Sequence, residues 1–284
     1  MPLALVVSLG ATTFDAVAMQ DGWAALDRVA VLGFDGVELA VRDPREVDGA
    51  RLRDHCARLG LPVVAIGTGQ AYLHEGLALA APEAGIRRAA SERLRQHIGL
   101  ASILNAIPGA PPAGVQVIVG LIRGKAGEAR ARAETWLREG LRPVLDAAGE
   151  AGVGVVIEPV NRYETDFLNT VEETVAVIER MGPPHLGVLA DTFHMNIEEA
   201  SIEESLRRAA PYLRHVHVAD SNRRAPGLGH LDFRRILETL QEVGYRGYLS
   251  AETLPYPDPE GAARQTVDYL RSLQAAISGR RRIS

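Results

Sequence analysis

The sequence predicts one (β/α)₈ barrel spanning residues 1–284. Short apolar runs alternate with amphipathic stretches from end to end, and no linker or change of composition interrupts them. The series contains eight strand–helix units of about 35 residues each, close to the proportions of a barrel of ~250 residues. An open, doubly wound sheet is the structural rival, but it rarely reaches eight regular units.

LALVVSL (Leu3 to Leu9) is an apolar run of strand length, and Trp23 to Val31 has helical periodicity. GVELAV (Gly36 to Val41) gives the second strand, and the helix over Ala50 to Leu59 stops at Gly60, which can adopt a left-handed cap. PVVAIG (Pro62 to Gly67) is the third strand. TGQAYLHEGLALAAP reads as irregular and leads to a helix over Glu83 to Ile103. NAIPGAPPAG (105–114) is rich in turn formers and reads as a loop at the amino-terminal face, away from chemistry. VQVIVGLI (Val115 to Ile122) and the helix over Glu128 to Ala151 complete the fourth unit.

GVVIE is the fifth strand. Its helix, Val171 to Met181, ends at the breakers Gly182, Pro183 and Pro184. HLGVLAD, LRHVHVAD and GYLSAET are strands six to eight, with helices over Glu203 to Ala209, Phe233 to Val243 and Glu260 to Ile277. The closing GRRRIS (279–284) reads as a frayed basic tail.

Composition narrows the function. A net charge of −5 gives no footprint for a polyanion, which argues against nucleic acid as a partner. One cysteine, Cys56, rules out an internal disulfide framework and suits a reducing, cytoplasmic setting. No basic leader and no apolar run of membrane-spanning length is present, so a soluble protein without a membrane partner is expected. Of the 31 lysines and arginines only Lys125 is a lysine. Schiff-base chemistry would need that residue, and its Gly-rich loop offers no apolar pocket to lower its pKa.

The chemistry centres on VVIEPVNRYETDFLNT, residues 155–170. A strand buried on both faces meets Glu158, an acid that such a strand should not carry without a partner. Pro159 then ends the ladder. Comparable residues follow later strands: Asp191 after the sixth, His217 in the seventh and Glu252 after the eighth, spaced 33, 26 and 35 residues apart. In a closed barrel such positions converge at one mouth. Three carboxylates and an imidazole left bare there would repel and suffer desolvation, and a divalent cation resolves the conflict. Oxygen-rich ligation with one nitrogen favours Mn²⁺ or Mg²⁺, with Co²⁺ also accommodated. Alternation puts His215 and His217 on one face, so spacing alone leaves the choice between them open.

The strings IEPVNRYETDFLNT, LADTFHMNIEE, HVHVADSNRRAPGLGHLDF and SAET resemble the ketose 3-epimerase group (D-tagatose and D-psicose 3-epimerases) of the xylose-isomerase-like barrel superfamily. The resemblance covers the second half of the chain. It implies one divalent metal ion, with Mn²⁺ foremost, bound by Glu158, Asp191, His217 and Glu252, and so selects His217 over His215. It also implies substrate contacts from Glu164, His194 and Arg223, and a dimer or tetramer, although no helix advertises an interface. VELAVRDP, VVAIGTGQAYLHEGLAL and VIVGLIRG in the first half resemble bacterial 5-keto-L-gluconate epimerases, which act on keto-uronates such as D-tagaturonate.

The expected activity is therefore metal-dependent inversion of the carbon beside a ketone through an enediolate. Glu158 and Glu252 would be the acid/base pair, with a keto-uronate as substrate and Arg42 and Arg123 as candidates for its carboxylate. Neutral ketoses are the alternative substrates. A hydroxypyruvate-type aldose–ketose isomerase, a DNA-repair endonuclease on the same barrel and a non-catalytic sugar-binding protein are the rival functions.

Overall fold

In the computed structural model, which describes residues 1–10 and 12–280, eight parallel strands pair in chain order and close into a barrel. They are β1 (Leu3–Ser8), β2 (Gly36–Ala40), β3 (Val63–Gly67), β4 (Gln116–Val119), β5 (Gly154–Ile157), β6 (Leu186–Asp191), β7 (Leu213–Val218) and β8 (Leu249–Ala251). The surrounding helices are α1 (Trp23–Val31), α2 (Gly49–Leu59), α3 (Gly69–Glu75), α4 (Ala84–Leu104), α5 (Arg130–Ala151), α6 (Val171–Met181), α7 (Thr192–Glu198), α8 (Ile202–Ala209), α9 (Phe233–Glu242) and α10 (Pro259–Arg280).

The double burial expected of β5 is realised residue by residue. Val155 and Ile157 join the large outer core between strands and helices. Val156 points inward, to a small plug of Ala4, Val64, Ala65, Ile118 and Leu189 that fills the lumen. The lumen is thus packed below the mouth, so a ligand can enter only from the carboxyl ends of the strands. Among the described residues no helix is long and apolar enough to cross a membrane.

The structure departs from the sequence expectation at four places. The segment read as irregular contains α3, and α7 lies where only a loop was expected. Both helices have seven residues, under two turns, too short for a 3.6-residue period to stand out. The fourth strand ends at Val119, because Gly120 turns the chain and Leu121–Arg123 coil into a 3₁₀ turn. Finally, α10 continues through Arg280, so the tail expected from 279 begins no earlier than 281, outside the described residues. The 105–114 segment does lie at the amino-terminal end. Asn105 fastens it there, accepting from Val115 N (2.7 Å) and donating to Gly152 O (3.0 Å).

Cys56 is fully buried on α2, and burial pushes its thiol up to about 12. A thiol this protonated and inaccessible does not react at neutral pH. Ellman's reagent should therefore detect no thiol in the native protein and one per chain in denaturant. A full stoichiometric reaction before unfolding would contradict this placement.

Candidate active site and metal centre

Glu158 still belongs to the sheet through its N–H, which donates to Val119 O at 3.2 Å. Its side chain turns into the mouth against Gly120, where a Cβ would stand 2.6 Å from Oε2, so only glycine leaves room for it. Asp191 is the last residue of β6, His217 the fifth of β7, and Glu252 follows β8 directly. One ligand atom from each lies within 4.8 Å of the others. His217 Nδ1 is 3.5 Å from Glu158 Oε1, 3.6 Å from Asp191 Oδ2 and 4.0 Å from Glu252 Oε1.

Three of these atoms, Glu158 Oε1, Asp191 Oδ2 and His217 Nδ1, are buried and have no hydrogen-bond partner. Unpaired buried polar atoms are costly, and here they point at one another. Asp191 shows how the arrangement arises. Its Oδ1 caps α7 by accepting from Phe193 N (2.7 Å) and His194 N (3.3 Å), which leaves Oδ2 free. Burial opposes its ionisation, but His194, His217 and Arg223 outweigh burial and hold the carboxyl below its usual range. Burial pushes Glu252 up to about 8 against the pull of His217 and Arg223, with repulsion from Glu158 and Asp191 added. A divalent cation would satisfy the three orphaned atoms and relieve that repulsion; three oxygens and one nitrogen fit such an ion.

Sequence reasoning missed Glu38, in the middle of β2 and 1% exposed. Its carboxylate accepts from His215 Nε2 (2.8 Å) and from His217 Nε2, 3.0 Å from both oxygens. Burial opposes the charge on Glu38, but the two imidazoles overcome it and keep the carboxyl well below the usual range. An ionised carboxylate can only accept, so both Nε2 atoms carry protons. That leaves Nδ1 of His217 as the atom facing the three acids. His215 sits deeper and is spent on Glu38, which separates the two histidines that alternation could not. The missed signal was an acid inside an apolar strand, the same anomaly that singled out Glu158.

Around these four residues the mouth is lined by Phe14, Gln70, Leu73, Val160, Glu164 and Arg223, among others. Gln70, buried on the unforeseen α3, donates to Ser8 Oγ at 3.2 Å. His194 Nε2 lies 3.9 Å from Glu158 Oε1. Arg223, in a left-handed conformation (φ 59°), donates to Glu164 Oε1 (3.0 Å) and Glu252 Oε2 (3.1 Å). Its guanidinium lies between the rings of Phe14 and Phe193, 5.2 and 4.9 Å from their centroids.

Two candidates are not brought to this mouth. Arg42 is partly exposed in an adjoining groove, where it pairs with Glu46 at 2.9 Å. Arg123 is fully buried. It donates to four backbone carbonyls: Gly120 O (2.9 Å), Glu158 O (2.7 Å), Phe167 O (2.8 Å) and Leu168 O (3.1 Å). Burial lowers its pKa to about 10, against the pull of Glu158, Glu164 and Glu173, so it stays charged at neutral pH. It clamps the end of β4 to the Glu158 loop with four of its five N–H donors and, fully buried, does not line the mouth where a substrate carboxylate would lie. The expectation for both arginines is corrected accordingly. Lys125 is exposed and does not line the mouth.

Arg123→Met should lower stability by about 3 kcal/mol or more, because several buried carbonyls lose their donor at once; chemical denaturation measures it, and an unchanged midpoint would refute the clamp. Glu38→Gln should weaken Mn²⁺ binding by the metal-free protein about 10–100-fold, the usual effect of losing the group that orients a ligating histidine. Calorimetric titration reads that change, and equal affinity would exclude an orienting role.

A family model described as a xylose isomerase-like TIM barrel matches residues 26–273. A D-psicose 3-epimerase of Agrobacterium fabrum is 32% identical over 254 residues, covering 87% of this chain and 84% of that protein. A 3-dehydro-D-guloside 4-epimerase of Escherichia coli is 35% identical over 135 residues, covering 47% of this chain and 52% of that protein. Among solved structures, an L-ribulose 3-epimerase superposes with a TM-score of 0.81 at 27% identity, covering 100% of this chain and 98% of that one. With a family model spanning most of its length and an epimerase similar along nearly all of it, this chain belongs to the xylose isomerase-like TIM-barrel family and, within it, to the ketose 3-epimerase group.

Proposed function

We propose that this protein is a divalent-metal-dependent 3-epimerase of neutral ketoses. The observation that carries the proposal is the convergence of three unpartnered buried atoms, on Glu158, Asp191 and His217, with Glu252 beside them. Glu158, Asp191, His217 and Glu252 would hold the cation, with Mn²⁺ the best match to the donor set and Mg²⁺ or Co²⁺ as alternatives. When bound, the cation supplies the Lewis acid that polarises the substrate carbonyl.

The remaining steps belong to the chain. Glu158 and Glu252 approach from β5 and β8, three strands apart around the ring. One carboxylate takes the proton from the carbon beside the carbonyl, and the C–H electron pair moves into an enediolate. The other, already protonated, returns a proton to the opposite face, and the pair finishes with its proton exchanged. Glu164, His194 and Arg223 would bind hydroxyls of the sugar. Phe14, Leu73 and Val160 would exclude water from the reacting carbons.

The charge of the mouth supports a neutral substrate over a keto-uronate. Arg223 is the one arginine or lysine lining it among the described residues, and it is already shared by two glutamates. Among the described residues no guanidinium or amine is therefore left free at the mouth to pair with a further carboxylate, which would lie beside Glu158 and Glu164 instead.

A panel of ketoses and keto-uronates, with chelator and Mn²⁺ controls, should be followed by product NMR in deuterated water. The expected product keeps its ketone and gains one deuterium at the neighbouring, inverted carbon, and chelator abolishes turnover. Inactivity on every sugar with a filled metal site would overturn the assignment, and an aldose product would establish the isomerase instead. A higher kcat/KM for a keto-uronate than for any neutral ketose would overturn the choice of substrate.

A further inference from the structure

Asn161 is 2% exposed, in the loop that follows Glu158, and its amide is oriented without ambiguity. Oδ1 accepts from the backbone N–H of Tyr163 at 3.0 Å. Nδ2 is 3.0 Å from Glu164 Oε1, an atom that can only accept while ionised. Turning the amide over would set its NH₂ against a backbone N–H and its oxygen against a carboxylate. Nδ2 therefore carries two hydrogens to two acceptors, and the second acceptor is Nδ1 of His194, 2.8 Å away.

We infer that Asn161 is a positioning residue that holds His194 in the tautomer protonated at Nε2. With the Nδ1 lone pair occupied by the amide, the imidazole's proton sits on Nε2. That nitrogen faces the mouth 3.9 Å from Glu158 Oε1, where a bound substrate would present its oxygens. His194 in this form donates a hydrogen bond and has no lone pair facing inward. It cannot take the proton from carbon, and that task is left to the carboxylates. The same amide holds Glu164 with its other hydrogen, so one buried side chain sets two groups at the rim. The tautomer follows from the hydrogen bonds alone; only its kinetic consequence rests on the epimerase assignment.

Long-range ¹H–¹⁵N correlation spectra of the full-length Mg²⁺-loaded protein test the tautomer, with His194 identified by the loss of its signals in His194→Gln. The expected wild-type pattern is a protonated Nε2 and an unprotonated Nδ1. In Asn161→Asp, whose carboxylate accepts where the amide donated, Nδ1 should gain a proton. A protonated Nδ1 in the wild type, or an unchanged spectrum in Asn161→Asp, would overturn the inference. For kinetics, Asn161→Leu removes the donor at similar volume. Its kcat on an accepted ketose, per folded molecule, should fall about 10²–10³-fold, the usual cost of losing one preorganised donor, with a smaller change in KM. Lost stability with an undiminished kcat would reduce Asn161 to a packing residue and overturn the positioning role. If the wild type turns over no ketose, the proposed activity fails while the spectra still decide the tautomer.

Discussion

Closure of the ring through β8 is the constraint on which the site depends. That strand has three residues and is paired on both sides: Leu249, Ser250 and Ala251 lie beside Leu3, Ala4 and Leu5 of β1, and beside Val216, His217 and Val218 of β7. Six lateral pairings therefore decide whether the last strand lines up with the first. Because Ser250 is the neighbour of His217, Glu252 emerges just beyond the imidazole, at the height of Glu158 and Asp191. The buried acids could not be gathered without this register, and a slip of one residue would turn Glu252 away from the mouth.

Within that frame the side chains at the mouth divide their two polar atoms between scaffold and site. Asp191 caps α7 with one oxygen, His217 is tied to Glu38 by one nitrogen, and Glu252 meets Arg223 with one oxygen. His194 is tied to Asn161 in the same way. The scaffold bond fixes the orientation of each group and, for the histidines, decides which nitrogen bears hydrogen. The two histidines end up in complementary orientations: His217 turns Nδ1, the nitrogen left over from Glu38, toward the acids, and His194 turns an Nε2 proton toward the same space. Rigidity and chemical readiness have one source here.

What could be read from the sequence was the part written in violations of burial. Glu158 stood out because a carboxylate ended a run of Val155, Val156 and Ile157, and the spacing of Asp191, His217 and Glu252 repeated the barrel unit. Glu38 was the same kind of anomaly, but it lies in the middle of a strand, whereas barrel chemistry is expected at the carboxyl ends. The arginines mark a firmer limit. A sequence places Arg42 and Arg123 after strands, but the direction each guanidinium takes depends on Gly120 coiling the chain inward and on Glu46 lying one turn away. The orientation of the Asn161 amide was likewise invisible, because it is set by the conformation of its own loop.

The scarcity of lysine acquires a practical meaning from where Lys125 lies. It is the one lysine side chain in the molecule, and it is exposed in the loop after β4, on the same end of the barrel as the mouth. With the α-amino group of Met1 blocked, a support or dye coupled to amines would attach at this single point, which fixes the orientation of the tethered protein. That orientation is the unfavourable one, with the entrance turned toward the surface. Moving the amine to the opposite end, by exchanging Lys125 for arginine and an exposed arginine of the far face for lysine, would leave the entrance open to solution.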